Sequence, residues 1–346
     1  MVTIKDVAGA AGVSIATVSR ALADPDRVAA ATRDRVLAAA DALGYTPNRA
    51  ARGLRAGRTN AIGLLVPDLT NPYFAVVARG VSQRARSHGV AVFVADSEED
   101  PAAEVDLLRG LVGQTDGVLL CSPRALIRDT DVLGAHPAVF VNHALDAAPS
   151  VALDDVAGAV AALEHLRSLG HRSIAYVAGP TTSWSDARRR DALQAVAERH
   201  PELEVHVLGP YPPTVEGGSA AAGVVIASGA TAALAFNDTV AVGLMRRVIA
   251  LGLRVPHDLS VAGFDDTYLT TLVTPALTSV HGDVTEVGRR ATDLLLDRIE
   301  RPDAPGELVL LPSWLVQRDS TAPPLSRLVP APTISPAPAA PTPGAP

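Results

Sequence analysis

The chain has 346 residues, 48% of them hydrophobic, with one cysteine and a formal net charge of −7; this is more than one core usually holds, so at least two folded units are expected. The lone Cys121 excludes an intrachain disulfide and a thiolate metal cluster. With no apolar run of membrane-spanning length and no export signal at the first residues, a protein of the reducing cytoplasm without membrane contact is expected.

The charge is uneven. Residues 1–60 hold nine basic and five acidic side chains, a balance of +4 that leaves −11 for the remainder. A polyanion-binding module on an acidic body is one reading of this, and a solvated basic face is the other. Thr3 is placed to cap a first helix, with Asp6 at the third position favouring its positive end. Ile4, Val7, Ala8 and Ala11 form one apolar stripe and Gly12 ends the helix. Ser14 caps a second helix with Val18, Ala21 and Leu22 turned inward. A third helix is expected from about Thr32 to Leu43, burying Val36, Leu37, Ala40 and Leu43.

Helix, short glycine-containing turn and helix make a helix-turn-helix pattern, whose second helix enters the DNA major groove. Ile15 and Ala16 then stand where apolar side chains touch thymine methyl groups, and Ser14, Thr17, Ser19 and Arg20 supply donors to phosphates and base edges. The competing reading packs Ile15 and Ala16 into a helical bundle.

From Ala61 the runs "AIGLLVP", "VAVFVAD", "DGVLLC" and "PAVFVN", then "SIAYVAG", "TAALAF" and "LSVAGFD", alternate with helical stretches. This predicts an α/β body of two doubly wound parallel sheets, divided near Asp155 into lobes with a cleft between them. Ligands of such sheets sit at the strands' carboxyl ends. There stand Asp68 and Asn71, with Tyr73 and Phe74, after the first strand, Asn142 after the fourth, Asn237 and Asp238 after "TAALAF", and Asp265 after "LSVAGF". Trp184 in "TSWSD" is placed to stack on a sugar face. For Asn71, Asn237 and Asp238 helix capping is an equal reading, as is lobe packing for Trp184. Carboxylate and amide groups around an aromatic plate make a carbohydrate the leading ligand class.

No GxSxG elbow, P-loop, GxGxxG or HExxH occurs, so neither an enzyme nor a bound cofactor or metal is expected. From Ala322 the chain is dominated by Pro and Ala and is expected to be an extended tail.

"TIKDVAGAAGVSIATVSRAL", "TRDRVLAAADALGYTPNRAARGLRAGRTNAIGLLVPD" and the later "GFDD" together resemble the LacI/GalR family of bacterial transcription regulators. The resemblance runs to about Ser320. It implies a periplasmic-binding-protein-like body whose chain crosses three times between lobes, with the helix near Glu286 to Ile299 returning to the first. It implies a homodimer, or a tetramer, on a pseudo-palindromic operator in double-stranded DNA, most often as a repressor, with a small-molecule effector altering operator affinity. A nucleoside- or purine-responsive regulator of the same family is one alternative, and a cytoplasmic solute receptor without operator binding another.

By the same resemblance Pro47 to Thr59 is a hinge, Asn48 to Ala56 a short minor-groove helix, Leu54 a wedge between base pairs, and Asn48, Ala51, Arg52 and Arg55 its DNA-facing neighbours. Arg189 matches an effector-contacting arginine. The divisions implied are 1–46 for the headpiece, 47–59 for the hinge, 60–321 for the body and 322–346 for the tail. Within the body, 60–156 with 284–308 form one lobe and 157–283 with 309–321 the other. Three positions depart from the family pattern: Asp154 and Asp155 stand for an Asp-Asn pair, Asn142 and His143 for Asp-Arg, and Ala29 for a capping Ser.

Overall fold

The computed structural model describes residues 2–23, 27–45, 58–125, 130–145 and 148–325. Helices α1 (Ile4–Ala11), α2 (Ile15–Ala23) and α3 (Ala30–Ala42) lead the chain. The Asp6 carboxylate accepts from both the N–H and the hydroxyl of Thr3 at 2.7 Å. These bonds hold the Asp6 carboxyl below its ordinary pKa. Gly12 takes the left-handed φ of 63° that lets the chain turn, and Ser14 Oγ accepts from Thr17 N–H at 3.1 Å to start α2.

Val7, Ala8, Ala11, Val18, Ala21, Val36 and Ala40 bury one another in a small core. Leu37 and Leu43, expected inside, are exposed. In so small a unit only the face of α3 carrying Val36 and Ala40 meets α1 and α2, and Leu37 lies about 100° round from Val36. Ala29 precedes α3 and supplies no side-chain cap.

The first lobe contains β1 (Ala61–Val66), β2 (Ala91–Asp96), β3 (Val118–Cys121), β4 (Ala138–Val141), β5 (Ser150–Leu153) and β11 (Leu308–Leu311), in the order β11-β5-β4-β3-β1-β2. All its pairings are parallel. The second lobe contains β6 (Ser173–Val177), β7 (Glu204–Leu208), β8 (Ala232–Ala235), β9 (Ser260–Phe264), β10 (Thr278–Gly282) and β12 (Ser313–Val316), in the order β12-β10-β9-β8-β6-β7. Here the edge strand β12 runs antiparallel to β10. The seven quoted runs are β1 to β4, β6, β8 and β9. Strands β5 and β10 were hidden because they bury hydroxyls, Ser150, Thr278 and Ser279, each satisfied by an internal hydrogen bond. Strands β7, β11 and β12 are half-exposed edges.

Helices α4 (Pro72–Ser87), α5 (Pro101–Val112) and α11 (Val284–Glu300) cover the first sheet; α6 (Asp155–Ser168), α7 (Trp184–Arg199), α8 (Val215–Ala227), α9 (Asp238–Ala250) and the short α10 (Leu269–Leu272) belong to the second lobe. Helix α11 does return to the first lobe, its Val287, Ala291 and Leu295 sharing a core with Val77 and Val81 of α4. The two backbones meet at Gly80 and Gly288, where an added Cβ would lie 2.3 Å from Thr285 O and 2.4 Å from Val77 O. The chain passes between lobes at Asp154, at Asp283 and at Pro312.

Beyond β12 the chain stays bound to the second lobe. Ser320 Oγ accepts from Thr278 N–H at 2.8 Å, and the Ala322 carbonyl accepts from His171 Nε2 at 2.9 Å and Ser260 Oγ at 3.0 Å. A carbonyl only accepts, so His171 carries its proton on Nε2 and Nδ1 receives the Thr231 hydroxyl, 2.8 Å away. Burial lowers the His171 pKa. The expected tail boundary at Ala322 therefore falls inside the fold, because a buried imidazole takes a backbone partner there. No described helix is long and apolar enough to cross a membrane.

Candidate functional sites

Helix α2 turns Val18 and Ala21 into the headpiece core. That packing leaves Ser14, Ile15, which is 37% exposed, Ala16 and Arg20 exposed, while Thr17 and Ser19 are half-buried. Ile15 and Ala16 thus lie outside the bundle. The Ser14 and Thr17 hydroxyls are 2.9 Å apart, and Arg20 Nε donates to the Ala16 carbonyl at 3.2 Å, folding the guanidinium along the exposed face. Asn48, Ala51, Arg52, Leu54 and Arg55 lie outside the described residues.

The cleft between the lobes is built from strand ends and the helices that follow them. From the expected set it brings together Asn71, Tyr73, Phe74, Asn142, Arg189, Asn237 and Asp265. Asn71 and Asn237 line the cleft and also cap, accepting from Tyr73 N–H at 3.0 Å and Val240 N–H at 2.9 Å. Asn142 Nδ2 donates to Tyr73 Oη at 2.6 Å, and burial pushes the Tyr73 phenol well above its ordinary pKa.

Arg189 is buried. Its Nε and Nη2 donate to Asp155 Oδ1 at 2.8 and 2.7 Å, Nη1 donates to the Phe236 carbonyl at 2.5 Å, and the guanidinium lies 3.9 Å from the centre of the Phe264 ring. Burial opposes its charge, but Asp155 more than compensates and the pKa is raised. The Asp265 carboxyl is pushed up to about 7, chiefly by burial, with Arg189 pulling down and the charge of Asp155 pushing up. Asp265 has φ 99°, and Asn142, Ser122, Glu98 and Glu99 lie at 51°, 46°, 52° and 61°. Non-glycine residues adopt this region at a cost, and strain of this kind gathers at binding sites.

Three expected residues do not line the cleft. Asp68 Oδ1 accepts from the Thr70 N–H and hydroxyl at 2.7 and 2.6 Å, closing its own turn. Asp238 is spent inside the second lobe, accepting from Thr267 N–H at 2.6 Å and Ser279 Oγ at 2.6 Å, whereas the preceding Asn237 lines the cleft. Trp184 begins α7 and lies against Arg188, 4.9 Å from ring centre to guanidinium carbon; the aromatic walls are Phe74 and Phe236 instead. The cleft also recruits Glu99, Ser122, Arg124, Asp155, Ser183 and Ser185. The signal available for Glu99, Ser122 and Arg124 was the same strand-end rule applied to "SEED" and "CSPR". No group of three His, Cys, Asp or Glu side chains among the described residues is arranged to hold a metal ion.

Residues 3–48 match the model of bacterial regulatory proteins of the lacI family, and residues 163–321 that of a periplasmic binding protein-like domain. The transcriptional regulator DegA of Bacillus subtilis is 32% identical over 93% of this chain and 98% of its own. Among solved structures, the Lac repressor dimer bound to operator and the anti-inducer ONPF superposes with a TM-score of 0.83 at 30% identity, over 93% of this chain and 99% of that one. The regulator CelR in complex with cellobiose gives a TM-score of 0.69 at 29% identity, covering 92% and 100%.

Proposed function

Because the chain belongs to the lacI family of bacterial regulatory proteins, it is a DNA-binding regulator of transcription and not an enzyme, and we propose that it grips a pseudo-palindromic operator as a homodimer and changes that grip when a neutral sugar enters the cleft. The observation that carries the effector reading is that polar groups from both lobes, Asn142 and Tyr73 of the first and Arg189, Asn237 and Asp265 of the second, converge between the Phe74 and Phe236 rings. A ligand touching both lobes stabilises their closed arrangement over any other, and only such differential affinity shifts a conformational equilibrium. Amide, carboxylate and phenol groups match a ring of hydroxyls, and the rings offer it apolar faces.

On the DNA side, Ile15, Ala16 and Arg20 read base edges and Ser14, Thr17 and Ser19 hold phosphates, with Thr3 beside them at the start of α1. The hinge residues Asn48, Ala51, Arg52, Leu54 and Arg55 complete the contact in the minor groove. The protein works in the cytoplasm, where its DNA is. Selecting operators from a random pool of palindromic DNA and titrating the complex with neutral mono- and disaccharides tests both halves. A retarded complex that one sugar dissolves or strengthens is expected; a chain that retards no DNA in the pool overturns the operator reading, and indifference to every sugar overturns the effector reading.

A further inference from the structure

The first-lobe wall of the cleft carries a second guanidinium, Arg124, which follows β3. Its Nε and Nη2 donate to the two carboxylate oxygens of Glu99 at 2.5 and 3.0 Å, and Nη1 donates to the Ser122 carbonyl at 2.9 Å. Its backbone N–H and that of Ala125 donate to the buried Glu104 carboxylate at 2.7 and 3.2 Å. The Arg124 side chain, only 4% exposed, is thus spent on Glu99 while the backbone at its base is held by Glu104, and Glu99 and Ser122 both hold left-handed backbone. Strain and buried ion pairs are retained where geometry matters more than stability.

Across the cleft Arg189 is likewise occupied, by Asp155 and the Phe236 carbonyl. Asp265 faces the same space, and among the described lining residues no third cation balances it. A phosphate entering would find both guanidinium forks, the groups best shaped to bind it, already neutralised, and a carboxyl opposite. A neutral hydroxyl or ring oxygen meets no such penalty and can still accept from the N–H donors that Arg124 has left.

We propose that the Glu99–Arg124 pair is a specificity element of the cleft, admitting neutral hydroxylated ligands and excluding anionic ones, sugar phosphates in particular. The proposal rests on the cleft being the effector site. Glu99 acts by cancelling the charge of Arg124, so the selectivity is reversible by a single change.

The test uses the full chain, Glu99→Gln and Glu99→Gln/Arg124→Gln, titrated by calorimetry with glucose, glucose 6-phosphate and inorganic phosphate. Wild type is expected to take up neither phosphate ligand. Glu99→Gln should bind both at least about tenfold more tightly than wild type, as a freed charge-assisted fork allows, and the double variant should lose that gain. Wild type binding glucose 6-phosphate more tightly than glucose overturns the proposal. So does a folded Glu99→Gln without anion uptake, or a gain that survives loss of Arg124. If Glu99→Gln melts early, Glu99→Ser carries the same expectation, and the wild-type arms need no variant. These titrations contain no DNA, so operator complexes indifferent to every neutral sugar defeat the effector reading separately from the anion result.

Discussion

The headpiece and the cleft reach their chemistry in opposite ways. In the headpiece the candidate DNA-reading side chains are those the core leaves over: α2 spends Val18 and Ala21 on packing, and Ile15, Ala16 and Arg20 are what remains outside. They sit within six consecutive positions and hold nothing else up. In the cleft, Arg189 reaches Asp155 and Phe236, 34 and 47 positions away, and Asn142 reaches Tyr73 across 69. Those groups are at once the lining of the candidate cleft and the fold's own ion pairs and hydrogen bonds. Function is therefore separable from stability in the headpiece and entangled with it in the cleft.

The sharpest way to break that contrast is Arg189→Ala. It leaves Asp155 buried without its cation and the Phe236 carbonyl without a donor, and removal of one partner from such a pair costs about 3–5 kcal/mol. The body should melt well below wild type in a calorimetric scan, with cleft binding lost as a consequence. A variant that melts like wild type but loses ligand would show the two roles to be separable after all.

Asp265 tests the same entanglement by pH. Its folded-state pKa of about 7 lies above its ordinary value of 3.8, so the folded protein holds this proton more tightly than the unfolded chain does. The stabilisation is complete below about pH 4 and is lost as pH rises through about 7. Asp265→Asn should flatten the decline of the melting temperature across that window, and a slope equal to wild type would show that the carboxyl ionises freely in the fold.

For the headpiece the expectation is the reverse. Ile15→Ser should change melting by less than about 0.5 kcal/mol, as for an exposed position, while weakening a selected operator by about 1–3 kcal/mol, the usual cost of one misread base pair. Equal operator affinity at matched salt would remove α2 from the interface.

Two smaller effects sharpen the comparison. A chain ending at Thr321 should melt lower than one ending at Leu325 by about 1–3 kcal/mol, since His171 and Ser260 lose the Ala322 carbonyl inside the second lobe. Ala29→Ser should stabilise the headpiece by about 1 kcal/mol by supplying the cap that α3 lacks; unchanged headpiece melting would mean that the start of α3 already fulfils its needs through water.

The outward placement of Ile15 and Ala16 stayed open until the packing of α2 decided it, while periodicity and caps by themselves determined the three leading helices, seven of the strands and the two-lobed α/β body. Each of these depends on residues within a few positions of one another, where spacing and side-chain type decide the outcome. The strand-end rule also found Asn71, Asn142, Asn237 and Asp265. Only the tertiary structure decided that Asp238 is spent on Thr267 and Ser279 while its neighbour Asn237 lines the cleft, and that Phe74 and Phe236 rather than Trp184 wall the cleft. It alone decided that Arg189 is spent on Asp155 and Arg124 on Glu99, and that Ala322 closes over His171. In each case the deciding partner lies on another strand or helix, and a buried charge or donor takes whichever complementary group the packing brings within about 3 Å, a choice that no local pattern encodes.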